Sequence, residues 1–192
     1  MVPLTDQLLV THFLEGNKNA FRLLTERYQQ KVFTICMGFT HDPDDASDVS
    51  QEVFIEVFRS LPKFRGQSTF STWLYRITVT KSLKHIHRER FNKFKISLDF
   101  MQEKENWNLA TSNHSTDENI IRLERKKLLK KAISSLTKKQ RVAFVLSKYK
   151  ELTNKEISEI MVIPIATVDT LIYRARSNMK KYIIKHSRND EM

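Results

Sequence analysis

The sequence predicts an all-α protein built as two helical domains joined by a flexible linker. Apolar residues recur every three or four positions through most of the chain, the signature of helices with one buried face. Strand-like alternation persists nowhere, and only 3 Gly and 4 Pro interrupt the 192 residues, so turns are few and helices long. One stretch, residues 92–120, loses the periodicity and is rich in Asn, Ser, Thr and acids, as a linker is. The expected division is therefore a first domain over 5–91, a linker over 92–120 and a second domain over 121–186.

Each element follows from local signals. Thr5 is placed to cap a short helix that stops at Gly16. From Ala20, the residues Phe21, Leu24, Tyr28, Val32, Ile35 and Phe39 mark one face of a long helix, which His41-Asp42-Pro43 breaks. A third helix turns Ala46, Val49, Val53, Val57 and Leu61 inward and ends at Pro62. A loop through Arg65-Gly66 leads into a fourth, from Phe70 to about Arg90. Phe100 or Trp107 is a candidate anchor within the linker. Periodicity returns at Ile121, Leu128, Ala132 and Leu136. Thr137…Gln140 and Thr153…Glu156 are then two capping-box sequences, each the start of a short helix.

Charge is segregated along this plan. Residues 1–62 carry a net −4, residues 63–95 a net +8, residues 96–119 a net −4 and residues 120–192 a net +11. Two basic blocks separated by an acidic spacer suggest two separate surfaces for a polyanion. The apolar content of 40% suffices for a packed core. No apolar run reaches the roughly 18 residues of a membrane helix, and the acid-bearing start MVPLTDQLLVTHFLEG does not read as a secretory signal. The lone Cys36 excludes an internal disulfide and a cysteine-rich zinc site, which fits a reducing cytoplasm.

The sharpest motif lies near the C-terminus. A short helix from Asn154 to about Met161 meets Val162-Ile163-Pro164, where proline turns the chain and suits a new helix start. In that new helix Val168, Leu171, Ile172, Ala175, Met179, Tyr182 and Ile183 form the apolar stripe. Thr170, Tyr173, Arg174, Ser177 and Lys181 face the other way, with Asp169 at the margin. This is helix-turn-helix patterning, with the second helix suited to the major groove. Upstream, HDPDDASDVSQEVF puts Asp45, Asp48 and Glu52 on successive turns of one helix. An EF-hand would need Gly at its sixth position and Glu at its twelfth. Counted from Asp42, those positions hold Ser47 and Val53, so calcium by that route is rejected. Asp44 and Asp45 serve the helix start, and the remaining acids with Gln51 suit a basic protein partner.

The ordered set of motifs resembles bacterial RNA polymerase sigma factors of the small, extracytoplasmic-function (ECF) type. DASDVSQEVF (45–54) resembles the family's region 2.2, and FRGQSTFSTWLYRI (64–77) its regions 2.3 and 2.4. LTKKQRVAF (136–144), EISEI (156–160), Thr167-Val168 and RAR (174–176) resemble region 4. The resemblance implies a promoter-recognition subunit with core RNA polymerase as partner, held through the β′ coiled coil and the β flap. Asp45, Asp48, Gln51, Glu52 and Phe54 would make the polymerase contact. Phe64, Arg65, Gly66, Gln67, Ser68 and Thr69 would form the pocket for an unpaired base of the melted −10 element. Arg76, Thr80, Lys81, Lys84 and Arg88 would hold the adjoining strand and duplex edge. Lys155, Thr167, Asp169, Thr170, Tyr173, Arg174, Ser177 and Lys181 would meet the −35 duplex. The linker would run towards the RNA exit path, and an anti-sigma factor is an implied partner.

Trp73 shares packing spacing with Phe70, Leu74 and Ile77, which places it in the core rather than on DNA. The chain departs from family habit at Thr80 and Lys84, where relatives often carry Asn and Asp. It departs again at Asp169, where many carry Lys or Arg, and at Val162-Ile163-Pro164, where Gly-Ile-Ser is common. Asp169 would accept from a cytosine amino group instead of meeting a phosphate.

No phosphate-binding glycine loop and no nucleophile–base set occurs. His85 and His87 point to different sides of a helix, so neither a cofactor nor a metal is expected and the chain reads as a non-enzyme. The alternatives are a stand-alone helix-turn-helix regulator and a nuclease using Asp42, Asp44 and Asp48. The first leaves the acidic helix and its aromatic-basic successor unexplained, and the second lacks a basic or histidine companion for its acids.

Overall fold

The computed structural model describes residues 4–100, 117–148 and 152–187. Among them the chain is α-helical, with one 3-10 turn. Helix α1 (Asp6–Leu14) starts where the Thr5 hydroxyl accepts from the Leu8 amide at 3.3 Å, and the chain leaves it through Gly16 at φ +96°. Asn17 caps α2 (Lys18–Thr40), which stops at His41 in the left-handed conformation. The Asp42 carboxylate then accepts from the amides of Asp44 and Asp45, at 3.0 and 3.1 Å, and Pro43 opens α3 (Pro43–Ser60). Pro62 lies in the 3-10 turn Leu61–Lys63 that ends it. Thr69 caps α4 (Phe70–Phe100), accepting from the Thr72 amide at 3.2 Å.

The second half holds α5 (Asp117–Ser134), α6 (Lys138–Lys148), α7 (Asn154–Met161) and α8 (Ile165–Ser187). Both expected capping boxes form. Thr137 N–H donates to Gln140 Oε1 at 3.3 Å while Gln140 N–H donates to Thr137 Oγ1 at 3.4 Å. The Thr153–Glu156 pair repeats this at 2.7 and 3.2 Å.

The linker reading over 92–120 needs correction at both ends. Helix α4 continues through Phe100 and α5 begins at Asp117. Residues 92–100 contain no Pro or Gly, so weak amphipathicity alone did not end the helix. Trp107 lies outside the described residues.

The apolar stripes pack as their spacing demands. Ala46, Val49, Val53, Val57 and Leu61 are fully buried against Leu24, Val32, Ile35 and Leu74. This core does not stop at α4. It continues through Val142, Val145 and Leu146 of α6 and Ile157 and Ile160 of α7 to Val168 and Ile172 of α8. A second cluster of Ala132, Ile133, Leu136, Phe144, Ala175 and Met179 ties α5, α6 and α8 together. Arg141, buried among them, donates to the main-chain oxygens of Ile133, Ser134 and Leu136 and so closes the C-terminal end of α5. The N-terminal and C-terminal halves are thus in apolar contact.

Candidate nucleic-acid and partner interfaces

Three surfaces carry the candidate residues. The first is a groove of about 550 Å³ between α2 and α3, lined by Gln29, Phe33, Gln51, Phe54 and Ile55 together with small hydroxyl residues. The five residues expected to meet the polymerase do not share it. Asp48 and Gln51 are exposed, and Phe54 is half-buried on the groove wall. Asp45 and Glu52 are turned towards α4 instead. Asp45 Oδ1 lies 3.2 Å from His85 Nε2, close enough for an ion pair though out of line for a hydrogen bond. Glu52 approaches Arg88 at 3.9 Å, and Glu56 pairs with Lys81 at 3.0 Å. The Lys81 ammonium, as hydrogen-bond donor and as charge, holds the Glu56 carboxyl below the usual carboxylate range. Ile55, half exposed on the groove, escaped the sequence reading, although it sits one turn beyond Gln51 on the same face and is an apolar residue among polar ones.

The second surface begins at the 64–69 loop. Gly66 stands at φ +66°, which lets the chain reverse with its side chains outward. Arg65, Gln67 and Thr69 are exposed and Ser68 half-buried. Thr69 is committed to capping α4, so it positions the loop more than it offers a free hydroxyl. Behind the loop Phe64, Phe70 and Trp73 form an aromatic cluster, with Phe64 and Trp73 centroids 5.0 Å apart. Trp73 packs against the core with one edge in an open groove of about 390 Å³, beside Arg76, Lys81 and Lys84. Thr80 and Lys84 are exposed, while Lys81 and Arg88 have Glu56 and Glu52 as neighbours on α3. Arg76 donates to the main-chain oxygen of Glu159 on α7.

The third surface is the helix-turn-helix of α7 and α8. Val162 takes the left-handed conformation at φ 54°, and the Ile163 and Val162 amides close the end of α7 on the oxygens of Ser158 and Glu159. The expected stripe of α8 is inward: Val168, Ile172, Ala175 and Met179 are buried, and Leu171, Tyr182 and Ile183 half-buried. Lys155, Thr167, Asp169, Thr170, Tyr173, Arg174 and Lys181 are exposed, and Ser177 half-buried. Asp169 accepts from the Asn154 side-chain amide at 2.6 Å, which locks the start of α7 to α8. Cys36 is no part of any of these surfaces; it is buried, and burial pushes its thiol pKa up.

Comparison with known proteins decides the family. Residues 24–91 match sigma-70 region 2 and residues 126–179 match sigma-70 region 4. The chain is 33% identical to the RNA polymerase sigma-H factor of Pseudomonas aeruginosa over 178 residues, 92% of each protein. The chain belongs to the ECF family of RNA polymerase sigma factors. It is also 36% identical to the ECF sigma-E factor of Escherichia coli K12 over 176 residues, 90% of this chain and 91% of that one. In fold this ECF sigma factor resembles CnrH, solved in complex with the cytosolic domain of CnrY. The TM-score is 0.63 at 19% identity, over 94% of this chain and 98% of that one. It also resembles RpoE of Bartonella quintana, solved with the anti-sigma factor NepR, with a TM-score of 0.57 over 86% and 97%. As a sigma factor it is no enzyme: it binds core RNA polymerase and promoter DNA to start transcription. Among the described residues no helix is long and apolar enough to cross a membrane.

Proposed function

We propose a division of these tasks among the three surfaces. The α2–α3 groove holds the polymerase through Gln51, Phe54 and Ile55, aided by the exposed Asp48 of the same helix, while Asp45 and Glu52 act by fixing α3 on α4. The 64–69 loop receives an extruded base of the −10 element, and Arg76, Thr80 and Lys84 hold the strand beside it. Helix α8 enters the −35 duplex, with Lys155, Arg174 and Lys181 on phosphates. The N-terminal half, up to α4, and the C-terminal half, from α5 on, then part from each other to act as separate domains on DNA, in the cytoplasm, under the control of an anti-sigma partner. The observation that carries this reading is the aromatic cluster of Phe64, Phe70 and Trp73 standing behind an exposed loop and beside three cations. Opening a duplex costs a few kcal/mol of lost stacking, and a base that stacks on one exposed aromatic edge recovers about 1–3 kcal/mol of it.

The test is transcription by purified bacterial core polymerase on a fragmented genomic template, with and without the protein. Transcripts with defined starts that need the protein support the reading. Gly66→Val and Gln67→Ala should then reduce open complexes more than polymerase binding. Equal loss of both would remove the loop from base capture.

A further inference from the structure

The outward face of α8 is unusual for a helix that reads bases. The run Ile165 to Tyr173 contains no Lys, Arg, Asn or Gln, so it has none of the side chains that make bidentate bonds to guanine or adenine. Two of its polar groups have partners within the protein: Thr170 donates its hydroxyl to the Ala166 oxygen at 3.1 Å, and Asp169 accepts from Asn154 with one carboxylate oxygen, leaving acceptor capacity to spare, while the Thr167 hydroxyl is exposed. Much of what else is exposed there is apolar. Ile165 is 49% exposed and Tyr173 is 75% exposed, and Ala166 and Thr170 are exposed between them. Cations do not fill this face but follow it, with Arg174, Arg176, Lys180 and Lys181 exposed on the later turns.

Resting on the assignment of α8 to the −35 duplex, we infer that this sigma factor reads its upstream element through thymine methyl groups, with Ile165 as a specificity-determining residue. In the major groove the C5 methyl of thymine is the one apolar feature a base pair presents. An exposed isoleucine, an alanine methyl, the methyl of a threonine whose hydroxyl is turned back to its own helix, and a tyrosine ring are its complements. The basic turns that follow hold the backbone without regard to sequence and set the depth of insertion. Asp169, steadied by Asn154, adds an acceptor suited to a cytosine amino group. The element so described is a pyrimidine-rich strand in which thymine methyls contribute the discrimination.

The experiment uses holoenzyme reconstituted from bacterial core polymerase and the full chain. Duplexes are selected from a library randomised upstream of a fixed −10 region, and each thymine of the enriched element is then replaced by deoxyuridine, which removes the methyl and nothing else. Removal of a contacted methyl should weaken binding about fourfold, and Ile165→Ala should bind the thymine and uracil forms of one position equally. The salt dependence should stay unchanged, since no phosphate contact is lost. An enriched element without thymine, or one indifferent to uracil at every position, overturns the inference while leaving α8 as the DNA-binding helix. If no upstream sequence is enriched at all, the assignment of α8 falls and the inference with it.

Discussion

Arg76 of α4 and Glu159 of α7, 83 residues apart, are joined through the arginine side chain and the glutamate main-chain oxygen, at 2.7 Å from Nη2 and 3.3 Å from Nε. Glu159 lies in the last turn of α7, so the guanidinium supplies the positive charge that a helix C-terminus favours. The same side chain is a candidate for the −10 strand, and it cannot serve both partners at once. Contact with DNA therefore requires α7 to leave α4. Arg76→Ala should lower the unfolding free energy by about 1 kcal/mol, the usual net value of a hydrogen bond open to solvent. Urea titration measures it; an unchanged midpoint would mean that the contact contributes nothing to holding the halves together.

The halves also meet closely at Gly38. A β-carbon there would lie 2.6 Å from Cγ1 of Val145, itself buried. Within a helix, here in the last turn of α2, an alanine would ordinarily be favoured by up to about 1 kcal/mol, so the glycine is kept for space. Gly38→Ala should cost about 1–3 kcal/mol through overpacking. In a Val145→Ala background the same change should become stabilising. Chemical denaturation of the four proteins of this cycle gives the coupling, and additive effects would show that α2 and α6 do not press on each other here.

These two contacts mark the boundary of what the sequence disclosed. The capping boxes at Thr137 and Thr153, the stop at His41-Asp42-Pro43 and the buried stripes of α2, α3 and α8 were legible because each depends on neighbours within about one helical turn. The far end of α4 was not, since residues 92–100 carry no breaker to mark it. Nor was the split of the α3 acids: Asp45, Glu52 and Glu56 share a face, but only the docking of α4 decides that this face meets His85, Arg88 and Lys81. Asp169 was read as an open acceptor, and its bond to Asn154 follows from how α7 crosses α8. Local periodicity is written in the chain, whereas the register between helices is settled by packing.

Val162 is a β-branched residue in the left-handed region, and it is 74% exposed, so its side chain gains little from burial. Left-handed geometry costs an L-residue about 1–2 kcal/mol, while the extra freedom of glycine in the unfolded chain takes back up to about 1 kcal/mol. Val162→Gly should therefore stabilise the protein by about 0.5–1 kcal/mol, a rise of roughly 2 °C in Tm. A lower melting temperature in calorimetry would show that the side chain makes a contact worth more than the strain.

The two classes of acid on α3 should separate in assay. Asp48→Ala and Ile55→Ala, on exposed parts of α3, should leave the melting temperature within about 1 °C while weakening binding to core polymerase. Asp45→Ala removes the carboxylate 3.2 Å from the buried His85 and should lower the melting temperature more than Asp48→Ala does. Co-purification with core polymerase and thermal melts, read together, decide the point. Full stability of Asp45→Ala with loss of polymerase binding would restore Asp45 to the docking surface.

His41 gives the fold a pH dependence of predictable sign. It ends α2 in the left-handed conformation with Nε2 buried and without a hydrogen-bond partner. Burial first, then the charges of Lys130, Arg141 and Lys126, lower its pKa from the ordinary 6.5. Below that ordinary value the unfolded chain takes up a proton that the folded protein refuses, so stability present at neutral pH is lost as pH falls through 6.5 towards the depressed folded value. The slope approaches about 1.4 kcal/mol per pH unit for one such proton. Asp42, whose pKa is lowered chiefly by the Asp45 amide, contributes with a separate window, losing its stabilisation only as pH drops below the ordinary 3.8. Between pH 7 and 5.5 the histidine therefore acts without it. His41→Asn keeps a residue that tolerates left-handed geometry and removes the titration, so its stability should fall less over that range. Urea unfolding at four pH values measures both slopes, and equal slopes would place the acid sensitivity elsewhere than at this junction of α2 with α5 and α6.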